Sequence, residues 1–201
     1  NGDIIDAPGL SRFLKEPSVV QIKNGVEKLV QFFGWLRGTF PKAKIVWKLG
    51  NHEARLYGYL LSNAPALYGL EAITWSSIAK SKDHNIEVIE DDTQIIHLGR
   101  LPVLHGHEFI RSFAPPVNPA RGLYLRAKTS AICGHHHATS THAEKDVKGK
   151  QIVTWSTGCL CHLQPRYARF NNFNHGFAMV EVLRDGDFDV HNKRIFEGRV
   201  A

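Results

Sequence analysis

Four short segments gather side chains that bind metal ions or move protons. They are Gly2-Asp3-Ile4-Ile5-Asp6, Gly50-Asn51-His52-Glu53, His105-Gly106-His107 and Gly134-His135-His136-His137. Imidazole is the commonest transition-metal ligand and titrates near neutral pH. Mixed imidazole, amide and carboxylate donors suit Mn²⁺, Fe or Zn²⁺. Each segment also carries a glycine, which lets the backbone turn sharply beside a ligand. The chain has 12 histidines, and His52, His105, His107, His135, His136 and His137 all fall in these segments.

The elements around these segments share a design. The apolar runs 44–49, 101–105 and 130–133 read as short strands, each ending at or just before a donor segment. Residues 1–6 read as a strand end running into a loop. Loops at the carboxyl ends of strands converge in α/β sheets, so donors placed there can meet. Periodicity predicts helices over 18–37, 53–63, 71–80 and 119–128. Further strands are predicted over 86–90, 93–98, 140–145, 151–156, 177–182 and 188–195, with Lys148-Gly149-Lys150 and Asp185-Gly186-Asp187 as turns. Strand-helix-strand at the front and a β meander behind predict an α/β fold with helices packed on a β-sandwich. At 201 residues, one domain over 1–201 is expected.

Composition narrows the classes. The apolar fraction is 43% and the charged fraction 22%, ordinary for a globular chain. No run approaches the roughly 18 apolar residues of a membrane span. Three cysteines argue against a disulfide framework and for a reducing, cytoplasmic setting. The net charge of +6 is compatible with a phosphorylated small molecule, a nucleotide or a nucleic acid as partner.

In order, the four segments resemble the calcineurin-like metallophosphoesterase superfamily. Its pattern runs Asp-x-His, Gly-Asp-x-x-Asp, Gly-Asn-His-(Asp/Glu), a His after a strand, then Gly-His-x-His. The last four blocks are present between Asp3 and His137. The resemblance is strongest to short phage-encoded or bacterial members. It is weaker to the serine/threonine phosphatase branch, because Ala7-Pro8 follows Asp6 where that branch has Arg, and His105-Gly106-His107 stands where it has His-Gly-Gly.

The resemblance implies an αββα four-layer sandwich and a two-metal site, with Mn²⁺ the first choice and Fe, Zn²⁺, Ni²⁺ or Co²⁺ as alternatives. It implies that Asp3 bridges both ions, that Asn51, His105 and His135 bind the second metal, and that His137 binds the first. His52 then contacts phosphate and protonates the leaving oxygen, with Glu53 holding its other ring nitrogen. Asp6 is read as loop-fixing. The implied reaction is hydrolysis of phosphomono- or phosphodiesters by in-line attack of a metal-activated water. The Asp-x-His block has no counterpart here, since only two residues precede Asp3. That block, with one central strand, is expected upstream of Asn1. For the chain as given, the expectation is an occupied second site beside a weak or empty first one. The rival readings are a degenerate scaffold that binds metal or nucleic acid without efficient turnover, and a nucleic-acid module with structural histidines.

Secondary features complete the reading. His107 and His136 flank the presumed ligands, and Arg111 and Arg121 lie between two ligand loops. These four are candidates for substrate contact, with ordinary surface or supporting roles as the alternative. Residues 109–119 are a candidate flap. Cys159 and Cys161 are expected on one face of a strand as buried thiols, and Cys133 as core packing.

Overall fold

The computed structural model describes residues 1–12, 21–109, 117–165 and 168–201. They form two units, Asn1–Gln94 and Ile95–Ala201. The architecture is α/β, with mixed sheets flanked by helices. No helix among the described residues is long and apolar enough to cross a membrane.

In the first unit, β1 (Ile45–Lys48) pairs in parallel with β2 (Ile86–Ile89), Ile45 lying opposite Ile86. Helix α1 (Lys23–Thr39) buries Leu29 and Phe33, and α2 (Asn51–Asn63) buries Leu56 and Leu60. The i, i+4 spacing puts each pair on one helix face. Both faces pack with Trp47, Leu49, Trp75 and Ile86 in one core. Phe33, Trp47 and Trp75 meet edge-to-face, with ring centroids 5.2 and 6.1 Å apart.

The guanidinium of Arg37 closes the end of α1. It donates to the carbonyls of His84 (2.8 Å) and Asn85 (2.6 Å), and to those of Phe40, Pro41 and Ala43 (2.9–3.2 Å). Phe40 is the cap residue that ends the helix, and its carbonyl also accepts the Ala43 N–H at 3.2 Å.

The helix expected over 71–80 is broken. Thr74 accepts from the Ser77 N–H and starts a short α3 (Trp75–Ile78), and Glu90 captures the Ser76 N–H at 2.8 Å. Such side-chain bonds offer the backbone a local alternative to a continuous helix. Residues 1–6 form no strand, although the Gly2 N–H bonds the Lys48 carbonyl at 2.8 Å. The start expected for α1, at residue 18, lies outside the described residues.

In the second unit, a five-stranded sheet runs in the order β3-β4-β5-β7-β6. These strands are β3 (Ile96–Leu98), β4 (Leu101–Val103), β5 (Ala131–Cys133), β6 (Ser140–Lys145) and β7 (Gln151–Ser156). β4, β5 and β7 are parallel neighbours, and β3 and β6 are antiparallel at the edges. A second, antiparallel sheet holds β8 (His175–Val182), β9 (Phe188–Phe196) and β10 (Arg199–Val200).

The alternation of β5 explains the layering. Ala131 and Cys133 join Leu123 of α4 (Pro119–Ala127) in one cluster. Ile132 joins Leu101, Val103, Val180, Phe188 and Val190 in another. Successive strand residues face opposite sides, so β5 is buried by a helix on one face and a sheet on the other.

Candidate metal centre

The Asp3 loop and the first turn of α2 are built around one buried carboxylate. Glu53 has no exposed surface. Its Oε2 accepts from the N–H groups of Asp3 and Gly50, both at 2.8 Å. Its Oε1 accepts from those of Ile4 (2.7 Å) and Ile5 (3.2 Å). The Gly50 bond is the return half of a capping box, because Glu53 is the third residue of α2. The helix therefore starts at Asn51, not at Glu53 as expected, and Asn51 and His52 sit in its first turn.

Asp3 is fixed by more than this. Its φ of 54° is left-handed, an uncommon state for a residue with a side chain. Its Oδ1 accepts the His52 N–H at 2.9 Å. A Cβ on Gly50 would lie 2.5 Å from Asp3 Oδ1 and 2.7 Å from its N, so only glycine allows this approach.

His52 is held differently from the expectation. Its Nδ1 lies 2.9 Å from Asp6 Oδ1, and its Nε2 lies 3.8 Å from Asp3 Oδ2. Glu53 faces backbone donors, so Asp6 is the residue that orients the imidazole. Asp6 also receives Arg55 at 3.0 Å. The hydrogen bond from His52, ahead of the Arg55 contacts, holds the Asp6 carboxyl below its ordinary range, against a smaller desolvation effect.

The second unit places its histidines by topology. β4 and β5 are adjacent and parallel, so their carboxyl ends share one edge of the sheet. The N–H groups of Gly134 and His135 both donate to the His105 carbonyl, at 2.9 and 2.8 Å. His105 is 2% exposed, and its Nε2 lies 3.2 Å from His135 Nδ1. Two nitrogens on one ion with bonds of about 2.1 Å sit roughly 3.0–3.4 Å apart. The pair thus already has the spacing of two ligands on a shared ion.

Glu108 supports the turn at His105 as Glu53 supports Asp3. It accepts from the N–H groups of His105 (2.8 Å) and Gly106 (2.6 Å). Gly106 has φ +124°, and a Cβ there would come within 2.8 Å of His135 Cβ. The His107 ring lies 5.2 Å from that of His105, and the His136 ring lies 5.3 Å from that of His135. Burial, with the neighbouring His105 and His137, lowers the His136 pKa, which favours its neutral form. Arg121 is exposed on the first turn of α4, where its N–H donates to Asn118. Arg111, and most of the candidate flap, lie outside the described residues.

β7 ends on the same edge as β5, and its loop brings in the cysteines. His137, Cys159 and Cys161 offer donor atoms all within 4.8 Å of one another. This corrects the expectation of buried strand thiols. Cys159 forms only an isolated bridge with His175, and Cys161 is exposed. Cys133 does fit the core expectation: burial pushes its thiol up to about 12, so it stays protonated and inert.

Sequence reasoning missed the organising role of Glu108 and the grouping of the cysteines with His137. The spacing Gly106-x-Glu108 carried no signal for the first. Cys159-x-Cys161 did carry one, obscured by assigning the segment to a strand. Comparison with models of known protein families and with curated proteins found no match for this chain.

Proposed function

We propose that the protein is a metal-dependent phosphoesterase of the calcineurin-like type, acting on phosphomono- or phosphodiesters. The observation that carries this reading is the His105–His135 pair, whose facing nitrogens lie 3.2 Å apart at the ends of two parallel strands. In this reading His105 and His135 bind that ion, with Mn²⁺ the preferred metal. His137 serves the companion ion. The αββα sandwich of that superfamily is part of the same proposal, supported by a second unit whose five-stranded sheet is covered by α4 on one face and a sheet on the other.

The metals, when bound, polarise the phosphoryl group and make water nucleophilic near neutral pH. The chain's own residues do the rest. Asp6 holds Nδ1 of His52, which fixes the ring and leaves Nε2 for the substrate. His52 Nε2 then hydrogen-bonds the phosphate and delivers a proton to the leaving oxygen. Glu53 and Glu108 hold no substrate. They set the backbone from which Asp3 and His105 project. His107, His136 and Arg121 are kept as candidate substrate contacts, the substrate being a phosphorylated small molecule, a nucleotide or a nucleic-acid end.

The test is hydrolysis of a chromogenic phosphodiester and a phosphomonoester with added Mn²⁺. Turnover above free metal, lost by about 10²-fold or more in His52→Ala, is expected. Metal binding without turnover would favour the degenerate-scaffold alternative instead.

A further inference from the structure

We infer that His137, Cys159 and Cys161 form a thiolate site for a single thiophilic ion, Zn²⁺ foremost. The phosphoesterase reading assigns His137 to an ion. The inference concerns what else binds that ion, and it stands on the cysteine geometry whether or not the protein hydrolyses phosphate.

The donors are already close. Cys161 Sγ lies 3.9 Å from His137 Nδ1, and every donor pair in the set lies within 4.8 Å. Tetrahedral Zn²⁺ with bonds of about 2.3 Å to sulfur and about 2.0 Å to nitrogen needs donors roughly 3.5–3.8 Å apart. Closing from the observed spacing takes shifts of under about 1 Å, within reach of the exposed Cys161 side chain. Two thiolates and an imidazole select Zn²⁺ over Mg²⁺, Ca²⁺ or Mn²⁺, which prefer oxygen.

The backbone frame is built for these side chains. Asn174 ties both sides of the site: its N–H donates to the His137 carbonyl at 2.9 Å, and its carbonyl accepts the Cys159 N–H at 2.9 Å. The Cys159 carbonyl is taken in turn by the Gly176 N–H at 3.1 Å. His175 Nε2 sits 2.9 Å from the Cys161 carbonyl. Gly158 lets the loop approach, since a Cβ there would lie 2.5 Å from the Asn174 carbonyl oxygen. Phe173 packs edge-to-face on the His137 ring at 4.7 Å and fixes its plane. His137 itself is held at a left-handed φ of 57°, a strained state for a residue with a side chain.

Two cysteines and one histidine leave the fourth tetrahedral position to solvent or a substrate oxygen, as in open rather than purely structural zinc sites.

The experiment uses the full chain under reducing conditions, with Zn²⁺ and Co²⁺ as probes. One equivalent of Zn²⁺ should protect Cys159 and Cys161 together from alkylation, read peptide by peptide by mass spectrometry. Cys133, fully buried, should stay unmodified with or without metal and serves as the internal control. Co²⁺ should give thiolate-to-metal charge-transfer absorption that persists in His105→Ala. In the double variant Cys159→Ser, Cys161→Ser that absorption should vanish, and Zn²⁺ affinity at this site should fall by at least about tenfold. Equal alkylation of both cysteines with and without Zn²⁺, or a Co²⁺ spectrum without a thiolate band, would overturn the inference. The alkylation arm needs no variant, so a double variant that fails to fold leaves the decision intact. Loss of phosphoesterase activity alone moves neither readout, which keeps this test separate from that of the catalytic reading.

Discussion

Replacing Glu53 by Gln is the sharpest perturbation of the first unit. The two side chains have nearly the same shape, so packing is conserved and only the polar pattern changes. Each oxygen of Glu53 accepts two backbone N–H groups, Oε1 from Ile4 and Ile5 and Oε2 from Asp3 and Gly50. Whichever way the new amide is turned, its NH₂ faces two donors and accepts from neither. Hydrogen bonds to a charged group are worth about 1.5–3 kcal/mol each, and a buried donor left unmatched adds its desolvation cost. With two such bonds lost in a site with no exposed surface, the expected destabilisation is about 3–5 kcal/mol. Domains of this size are held by only about 5–15 kcal/mol, so the change is large. Urea unfolding followed by tryptophan fluorescence measures it, because Trp47 and Trp75 are both in the core of this unit. His52→Ala is the control: its side-chain partner Asp6 is 67% exposed, so stability should change by less than about 1 kcal/mol while activity is lost. A Glu53→Gln protein as stable as the wild type to within about 1 kcal/mol would refute the reasoning that this carboxylate organises the Asp3 loop.

Gly50→Ala forces a methyl group against Asp3 and should cost about 1–3 kcal/mol, together with weaker Mn²⁺ binding in a titration. Arg37→Ala removes the guanidinium that collects five carbonyls and should lower stability by about 2 kcal/mol in the same urea assay, with metal binding unchanged. Asp6→Asn tests pH linkage. The Asp6 carboxyl is lowered in the folded protein, so its contribution is complete above the unfolded value of about 3.9 and is lost as pH falls through the folded value. As pH falls below about 4, the stability gap between wild type and Asp6→Asn should therefore shrink; a gap that grew over that acidic range would contradict the sign.

What the sequence could convey was set by what local pattern encodes. The strands that end at Lys48, Val103 and Cys133 were legible, because short apolar runs followed by glycine and histidine mark buried strands entering loops. So were α4 and the hairpin-forming strands β6 and β7, whose turn residues are explicit. The start of α2 was misread by two residues, because Gly50 caps it through Glu53 without a capping side chain of its own. The partners of Glu53 and Glu108 were not legible at all. A carboxylate facing backbone N–H groups looks, in sequence, the same as one facing an imidazole. The Cys159–Cys161 grouping depended on a loop geometry that alternation cannot specify, since the segment is held by Asn174 and Gly176 rather than by strand pairing.

The proposed function assigns a metal ion to the His105–His135 pair and a proton-delivering role to His52. Hydrolysis of a chromogenic phosphodiester with added Mn²⁺ tests it most directly, comparing wild type, His52→Ala and His105→Ala. Turnover above free metal is expected in the wild type. His52→Ala should retain Mn²⁺ binding with at least about 10²-fold slower turnover, and His105→Ala should lose both. Wild-type hydrolysis no faster than free Mn²⁺, or hydrolysis unchanged in both variants, would contradict it.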